Sequence, residues 1–507
     1  MKTRFQKARA NAVSTLLYQL VAVGCGILVP KIIIGHFGSE VYGATTSITQ
    51  FLSYITLLEA GIGGVARAEL YRPLVERNTR SISEIYNAVR HWFRLIGCAF
   101  LVYVVILAST FNKIAEVDFF EPAYSFLLVV VIAISTAAQY FFGIANLTLI
   151  NADQKRYISN IVMILTTVVN AALTVVLVWL DCDILTVKLC SSGIFVIRPI
   201  LFSLYVKKNY QIDKNQKPER DTLSQRWTGL GQHLAYCLHK NTDVAVLTVL
   251  ADVKYVAVYS VYHLVVSSIQ NIITALTGGM ESLFGDMLAK GEEEKLQVAY
   301  RAYDMLVSFT TLLLFGVTSI LILPFIELYT RDVADAQYYQ PMFAFVLILA
   351  ESINCMLIPC TSIPVAANKF SETKFGAYGE VLINVLSSCL LVLWNPLVGV
   401  ALGTLLAALY KSIFYFCYVS KRILHTSLRY GIRYLLYILL LMIMAFAGNM
   451  IIGLFKITSA LQWIVWGLIT FICAFAVVFL CFNWIFGKQF AQGLYEILRR
   501  FRNRNKA

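Results

Sequence analysis

Apolar runs of membrane-spanning length alternate with short polar segments along the entire chain, and this rhythm predicts an all-α protein. A hydrocarbon core about 30 Å thick takes roughly 20 apolar residues in a helix. Fourteen stretches meet that length, at roughly 11–34, 41–66, 91–110, 122–149, 157–180, 184–206, 229–250, 254–284, 302–326, 341–366, 376–394, 397–420, 430–453 and 458–486. Two cytoplasmic segments are more than tight turns. Residues 74–90, LVERNTRSISEIYNAVR, have the amphipathic pattern of a helix lying on the inner leaflet. Residues 207–226 are polar, contain Pro218 and read as a flexible linker between two halves.

Charge orders these spans. With 59% hydrophobic and 14% charged residues in 507, the chain lacks the charge that a soluble surface needs. Alternating the loops places 33 of the 42 lysines and arginines on one side, while the other side holds only Lys113, Lys254, Arg331 and Lys456. The positive-inside rule makes that basic side, with both termini, cytoplasmic. The net charge of +13 therefore reads as topology, and nucleic acid is not expected as a partner. The basic start, MKTRFQKARAN, runs into an apolar stretch too long for a signal peptide, so it reads as an uncleaved first helix. The cysteines are scattered without metal-ligand spacing, and no metal site or cofactor is expected.

The halves resemble each other at a shift of about 214 residues. Asn151–Lys155 aligns with Val365–Lys369, Asn170 with Asn384, Gly63 and Gly64 with Gly278 and Gly279, and Val41 and Tyr42 with Lys254 and Tyr255. Six helices per repeat make the repeats parallel, about an axis along the membrane normal, the arrangement that permits alternating access. The expected organisation is an N-terminal six-helix lobe at 1–206, a linker at 207–226, a second six-helix lobe at 227–422, and two extra helices with a basic tail at 423–507.

Ionisable residues inside spans cost about 2.5–3.5 kcal/mol on insertion scales, so they mark a cavity or a partner. The first half carries Lys31, Glu59, Arg67 and Arg198; the second carries Lys240, Asp243, Glu281, Glu351, Glu380 and Lys411. Lys31, Glu59, Arg67, Arg198, Lys240 and Lys411 are candidates for lining a substrate cavity, and Asp243, Glu281 and Glu351 for ion coupling. Bland readings stand beside these. Lys240 and Asp243 sit three apart and either neutralise each other or serve separately. Lys31 and Arg67 either snorkel to the interface or face the cavity. Glu380, one turn into its helix, is expected at the interface.

At these residues the chain resembles the polysaccharide transporter family, the flippases for O-antigen or capsule repeat units within the multidrug, oligosaccharidyl-lipid and polysaccharide exporter superfamily. The likeness is carried by FGSEVYGATTSITQFLSYITLLEAGIGGVARAEL at 37–70, with Gly38, Tyr42, Gly43, Glu59, Gly61 and Gly63, and by NTDVAVLTVLADVKYVAVYSVYHLV at 241–265, with Asp243. The resemblance implies MATE-like V-shaped lobes, with spans one, two, seven and eight lining the cavity. It also implies a cargo of oligosaccharide on undecaprenyl pyrophosphate, moved from the cytoplasmic to the periplasmic leaflet of a bacterial inner membrane by alternating access. Coupling to a sodium or proton gradient occurs in parts of the superfamily, and other polysaccharide assembly proteins are expected neighbours. The alternatives within the fold are an ion-coupled multidrug exporter and a peptidoglycan-precursor flippase. A membrane polymerase or ligase would need a substantial external loop; the longest here are near 110–122 and 327–340, so an enzyme is not expected.

Overall fold

The computed structural model describes residues 4–59, 62–213, 216, 241–277, 280–367, 369–425, 431–455 and 457–487. These form helices α1 (Arg4–Ser53), α2 (Ile62–Glu76), α3 (Thr79–Ile114), α4 (Pro122–Ala138), α5 (Ile144–Ala152), α6 (Arg156–Trp179) and α7 (Ile184–Asn209). After these come α8 (Asn241–Leu250), α9 (Val253–Thr277), α10 (Met280–Ala289), α11 (Glu293–Tyr329), α12 (Pro341–Met356) and α13 (Ile358–Ala366). The chain continues through α14 (Phe370–Leu391), α15 (Pro396–Arg422), α16 (Ile432–Ile452) and α17 (Ala460–Phe486). Every one of the fourteen expected spans meets a helix, and the protein is an all-helical, multi-pass membrane protein. Among the described residues eleven helices are long and apolar enough to cross a bilayer, and Arg9–Glu59 holds two of the expected spans.

Helix starts follow local chemistry. Asn78, Asp183, Asn395 and Ser459 each accept a hydrogen bond from the backbone N–H three residues on, opening α3, α7, α15 and α17. Pro122, Pro341 and Pro396 occupy the first turn, where their missing N–H costs nothing.

Three departures from the expected pattern matter. Residues 79–90 do not lie separately on the inner leaflet: they are the first turns of the 36-residue helix α3. Ile82, Ile85, Tyr86 and Val89 continue the buried stripe of Phe93, Ile96 and Phe100, and nothing between them breaks the ladder. The second span is interrupted, with Tyr54–Glu59 wound as a 3₁₀ helix. There Ser53 Oγ and Thr56 Oγ1 donate to the carbonyls of Gln50 and Ser53, competing with the backbone ladder. The described part of the 207–226 linker is tied down, since Asp213 N donates to Ser83 Oγ and Asn87 Nδ2 donates to the Asp213 and Gln216 carbonyls.

The chain forms two compact units, Met1–Val258 and Tyr259–Ala507. The first is centred on Ile48, Leu52, Phe93, Phe100, Phe111, Leu128 and Leu149. Its loop between α5 and α6 grips the start of α1. Asp153 accepts from Lys7 Nζ at 3.1 Å and Tyr210 Oη at 2.7 Å and is ion-paired with Lys155 at 2.7 Å, while Asn11 bonds the backbone of Gln154 and Tyr157. Burial pushes the Asp153 carboxyl up, but the bonds from Lys155, Tyr210 and Lys7 outweigh it and hold the group below its ordinary range. In the second unit, α11, α12, α14 and α15 bury Leu312, Phe315, Phe343, Leu347, Val400 and Ala401. The last two helices pack on α11, where Asn449 Nδ2 and Trp463 Nε1 donate to the Ser319 and Leu321 carbonyls.

Candidate functional site

Irregular backbone in the first unit gathers around one acid. Glu59 closes the 3₁₀ segment and accepts a 2.6 Å hydrogen bond from Tyr140 Oη. Tyr140 belongs to a π-helical segment, Gln139–Gly143, that interrupts the fourth span between α4 and α5. Such segments relieve the helical ladder and recur at functional positions. Gly143 admits Pro199 of α7, because a Cβ there would lie 3.0 Å from the proline's own Cβ.

Arg198 immediately precedes Pro199 on the same helix. Its Nε and Nη2 donate to Thr166 Oγ1 at 2.7 Å and Thr167 Oγ1 at 2.9 Å on α6, and its guanidinium lies 4.3 Å from the Phe195 ring centroid. Arg67 is exposed and donates to the Gly63 carbonyl at 3.0 Å. Lys31 lies on the exposed stripe of α1 shared with Leu20, Gly24 and Leu28.

The glycines at 38 and 43 acquire a physical reason. Gly38 takes φ 85° at the kink that separates the first two spans inside α1. Gly43 lets that segment meet the α8–α9 turn: a Cβ there would stand 1.8 Å from the Val253 carbonyl oxygen. Along the same seam Glu40 pairs with Lys254 at 2.8 Å, Ser47 bonds Thr248, and Gln50 Nε2 and Tyr54 Oη both reach Asn241. Asp243 is buried on α8 and lies within electrostatic reach of Tyr54. Lys240, Gly61, Gly278 and Gly279 lie outside the described residues.

The second unit holds a buried ionic cluster. Glu351 on α12 is 8% exposed and accepts from Gln270 Nε2 on α9 and from Asn354 Nδ2 at 3.1 Å. Lys411 on α15 and Glu380 on α14 form an ion pair at 2.8 Å, and both charges act on Glu351. Glu380, expected at the interface, is 4% exposed: its one-turn depth in sequence gave no hint that α15 covers it. Nearby on α14 and α15, Asn384 Nδ2 donates to Thr404 Oγ1 at 3.1 Å, while Asn384 Oδ1 and Ser388 Oγ are buried without a partner among the described residues. Buried oxygens of this kind suit a water. Among the described residues no three His, Cys, Asp or Glu side chains group as a metal site. Glu281 is exposed in the first turn of α10, apart from the buried set.

Two ionisable residues of the spans were passed over in the sequence. Asp304 on α11 is 1% exposed and accepts from Tyr434 Oη of α16. Lys188 sits in the second turn of α7. Both interrupt apolar windows as single charges, and that interruption was the available signal.

The fold is similar to that of solved transporters of the MOP superfamily. The chain is similar to the lipid II flippase MurJ in an inward closed conformation, with TM-score 0.68 and 12% identity over 93% of this chain and 98% of that one. It is similar to an inward-facing multidrug resistance MATE family transporter, with TM-score 0.58 and 15% identity over 81% and 98%. A MOP superfamily transporter from Pyrococcus furiosus, described as having a binding pocket of reversed polarity, matches with TM-score 0.53 and 14% identity over 81% and 95%. No family model matches the sequence, and no curated protein does.

Proposed function

We propose that this protein is a flippase that carries an undecaprenyl-pyrophosphate-linked oligosaccharide from the cytoplasmic to the periplasmic leaflet by alternating access, for surface polysaccharide synthesis. The observation that carries this reading is the likeness to a lipid flippase over 93% of the chain. The motifs at 37–70 and 241–265 turn it toward O-antigen or capsule units. No bond is made or broken: the work is transfer of a charged headgroup through a cavity while the tail stays in lipid. Arg198 would meet the anionic headgroup, and the cluster of Glu351, Glu380 and Lys411 would respond to a proton or sodium gradient.

A second reading, ion-coupled drug export, draws on the MATE likeness and the buried acids. The deciding experiment deletes the gene in its own host and locates the lipid-linked repeat unit by leaflet. Loss of surface glycan with precursor held on the cytoplasmic face supports the flippase. Intact glycan in a strain freed of redundant flippases moves the assignment to drug export. Loss of peptidoglycan precursor delivery points to the precursor flippase instead, and precursor accumulating outside points to a polymerase or ligase.

A further inference from the structure

Helix α7 carries two cations within its span, and no carboxylate pairs with either among the described residues. Lys188, Ser191, Phe195 and Arg198 recur every three or four residues, which puts them on one face of the helix. All four are partly buried. That face is distinct from the lipid-facing one, where Leu189, Ile197, Ile200 and Leu204 are exposed. Opposite it, α6 supplies Thr166 and Thr167 to Arg198, and Asn170 to Ser191. Tyr18 of α1 lies within reach of the Arg198 charge. Lys188 Nζ has no hydrogen-bond or ion-pair partner among the described residues.

The internal repeat supplies a control. At the shift of 213–214 residues, Arg198 corresponds to Lys411, and Thr166, which Arg198 bonds, corresponds to Glu380, which Lys411 bonds. The hydrogen bond of Ser191 to Asn170 likewise corresponds to that of Asn384 to Thr404. The second unit therefore neutralises its cation internally. The first has a threonine where the acid would stand, and adds Lys188, whose counterpart is Ala401.

We propose that the α6–α7 face of the first unit is a binding strip for an extended phosphate-bearing anion, with Lys188 and Arg198 as its charges and Ser191 and Asn170 between them as neutral hydrogen-bonding groups. Ten residues of helix separate the two cations by about 15 Å along the axis. Helical side chains lean toward the N-terminus, so the two charges shift the same way and keep that spacing. A diphosphate at one cation, with its first sugars running toward the other, has the length to span the strip. This deepens the flippase reading and rests on it for the lipid tail, though not for the anion.

The test measures binding of farnesyl diphosphate, inorganic diphosphate and farnesol to the full-length protein in nanodiscs at fixed salt. Lys188→Met is expected to weaken both diphosphate probes about tenfold, which is one charged contact, and to leave farnesol unchanged. Lys188→Arg is expected to stay within twofold of wild type. Lys188→Gln serves as the neutral variant if the methionine variant does not insert. Equal diphosphate affinity in wild type and neutral variants overturns the strip and leaves the flippase reading standing; Lys188 then only snorkels to the interface. Lysine-dependent binding of inorganic diphosphate without binding of the farnesyl probe keeps the strip and overturns the flippase reading. Wild type that binds neither diphosphate overturns both.

Discussion

Glu380 and Lys411 meet at 2.8 Å within the second unit, the carboxylate side chain 6% exposed and the ammonium 23%. Removing one member of a buried pair leaves the other charge unsatisfied, which costs about 3–5 kcal/mol. The part-exposed lysine places this pair at the low end. Glu380→Gln should therefore lower the melting temperature of the purified protein in detergent, and adding Lys411→Met should recover most of the loss. If the double variant is as unstable as the single, the damage lies in packing.

Thr166→Glu places in the first unit the acid that the second unit has at the corresponding position, against Arg198. The 2.7 Å bond from Arg198 Nε to Thr166 Oγ1 puts position 166 against the guanidinium, so a glutamate, two atoms longer, pairs with it once Arg198 draws back. Stability should change little, the ion pair offsetting the larger buried side chain, while export of an anionic cargo falls at least tenfold because Arg198 is already neutralised. Full export by T166E would remove Arg198 from the cargo path.

The spans were legible because apolar windows leave a long-range statistical mark. What failed to show were features decided by partners distant in sequence. Glu380 looks interfacial until Lys411 is placed beside it, and the turns at 79–90 look separate until Ile82, Ile85 and Val89 are seen to extend the stripe of Phe93. The interruptions at Tyr54–Glu59 and Gln139–Gly143 contain no proline, and the hydroxyls of Ser53 and Thr56 are too common within helices to announce the first. The shift of 214 was visible at Asn170 and Asn384, yet the asymmetry between Thr166 and Glu380 becomes meaningful only once the bonds to Arg198 and Lys411 are seen.

Glu351 is the buried acid whose hydrogen-bond partners are both amides, Gln270 and Asn354. Amides solvate a carboxylate without neutralising it, which leaves the group able to exchange a proton or hold a cation. In proteoliposomes, Glu351→Gln should abolish the dependence of transport on an imposed proton or sodium gradient while retaining downhill exchange. Asp243→Asn provides the comparison on α8. Whichever variant keeps full gradient dependence is excluded as the coupling acid.

The grip of Asp153 on the start of α1 should depend on pH in a definite direction. Its carboxyl titrates below the ordinary value of 3.8 in the folded protein, so the contribution is complete above that value and is lost as pH falls through the lower folded one. Protection factors of the amides in the first turns of α1, with the intrinsic pH dependence of exchange divided out, should fall below about pH 4. Asp153→Asn should give the low protection already at pH 7. Slow exchange in that variant would assign the grip to the Asn11 bonds alone.

Gly43 tests whether the seam between α1 and the α8–α9 turn must close for transport. A methyl group there would fall 1.8 Å from the Val253 carbonyl oxygen, and because the obstacle is backbone rather than a side-chain tip, the helices have to separate. Gly43→Ala should still insert, since alanine favours helix more than glycine does. It should nonetheless weaken the Glu40–Lys254 pair, and crosslinking of cysteines placed at positions 40 and 254 should fall. Transport should drop with it if the proposed alternating access requires this seam to close. Lys254→Met separates the two contributions: it removes the ion pair and leaves the close backbone approach intact. If closure depends on the glycine, K254M transports at near wild-type rate while G43A does not; the opposite ranking assigns the seam to its charges.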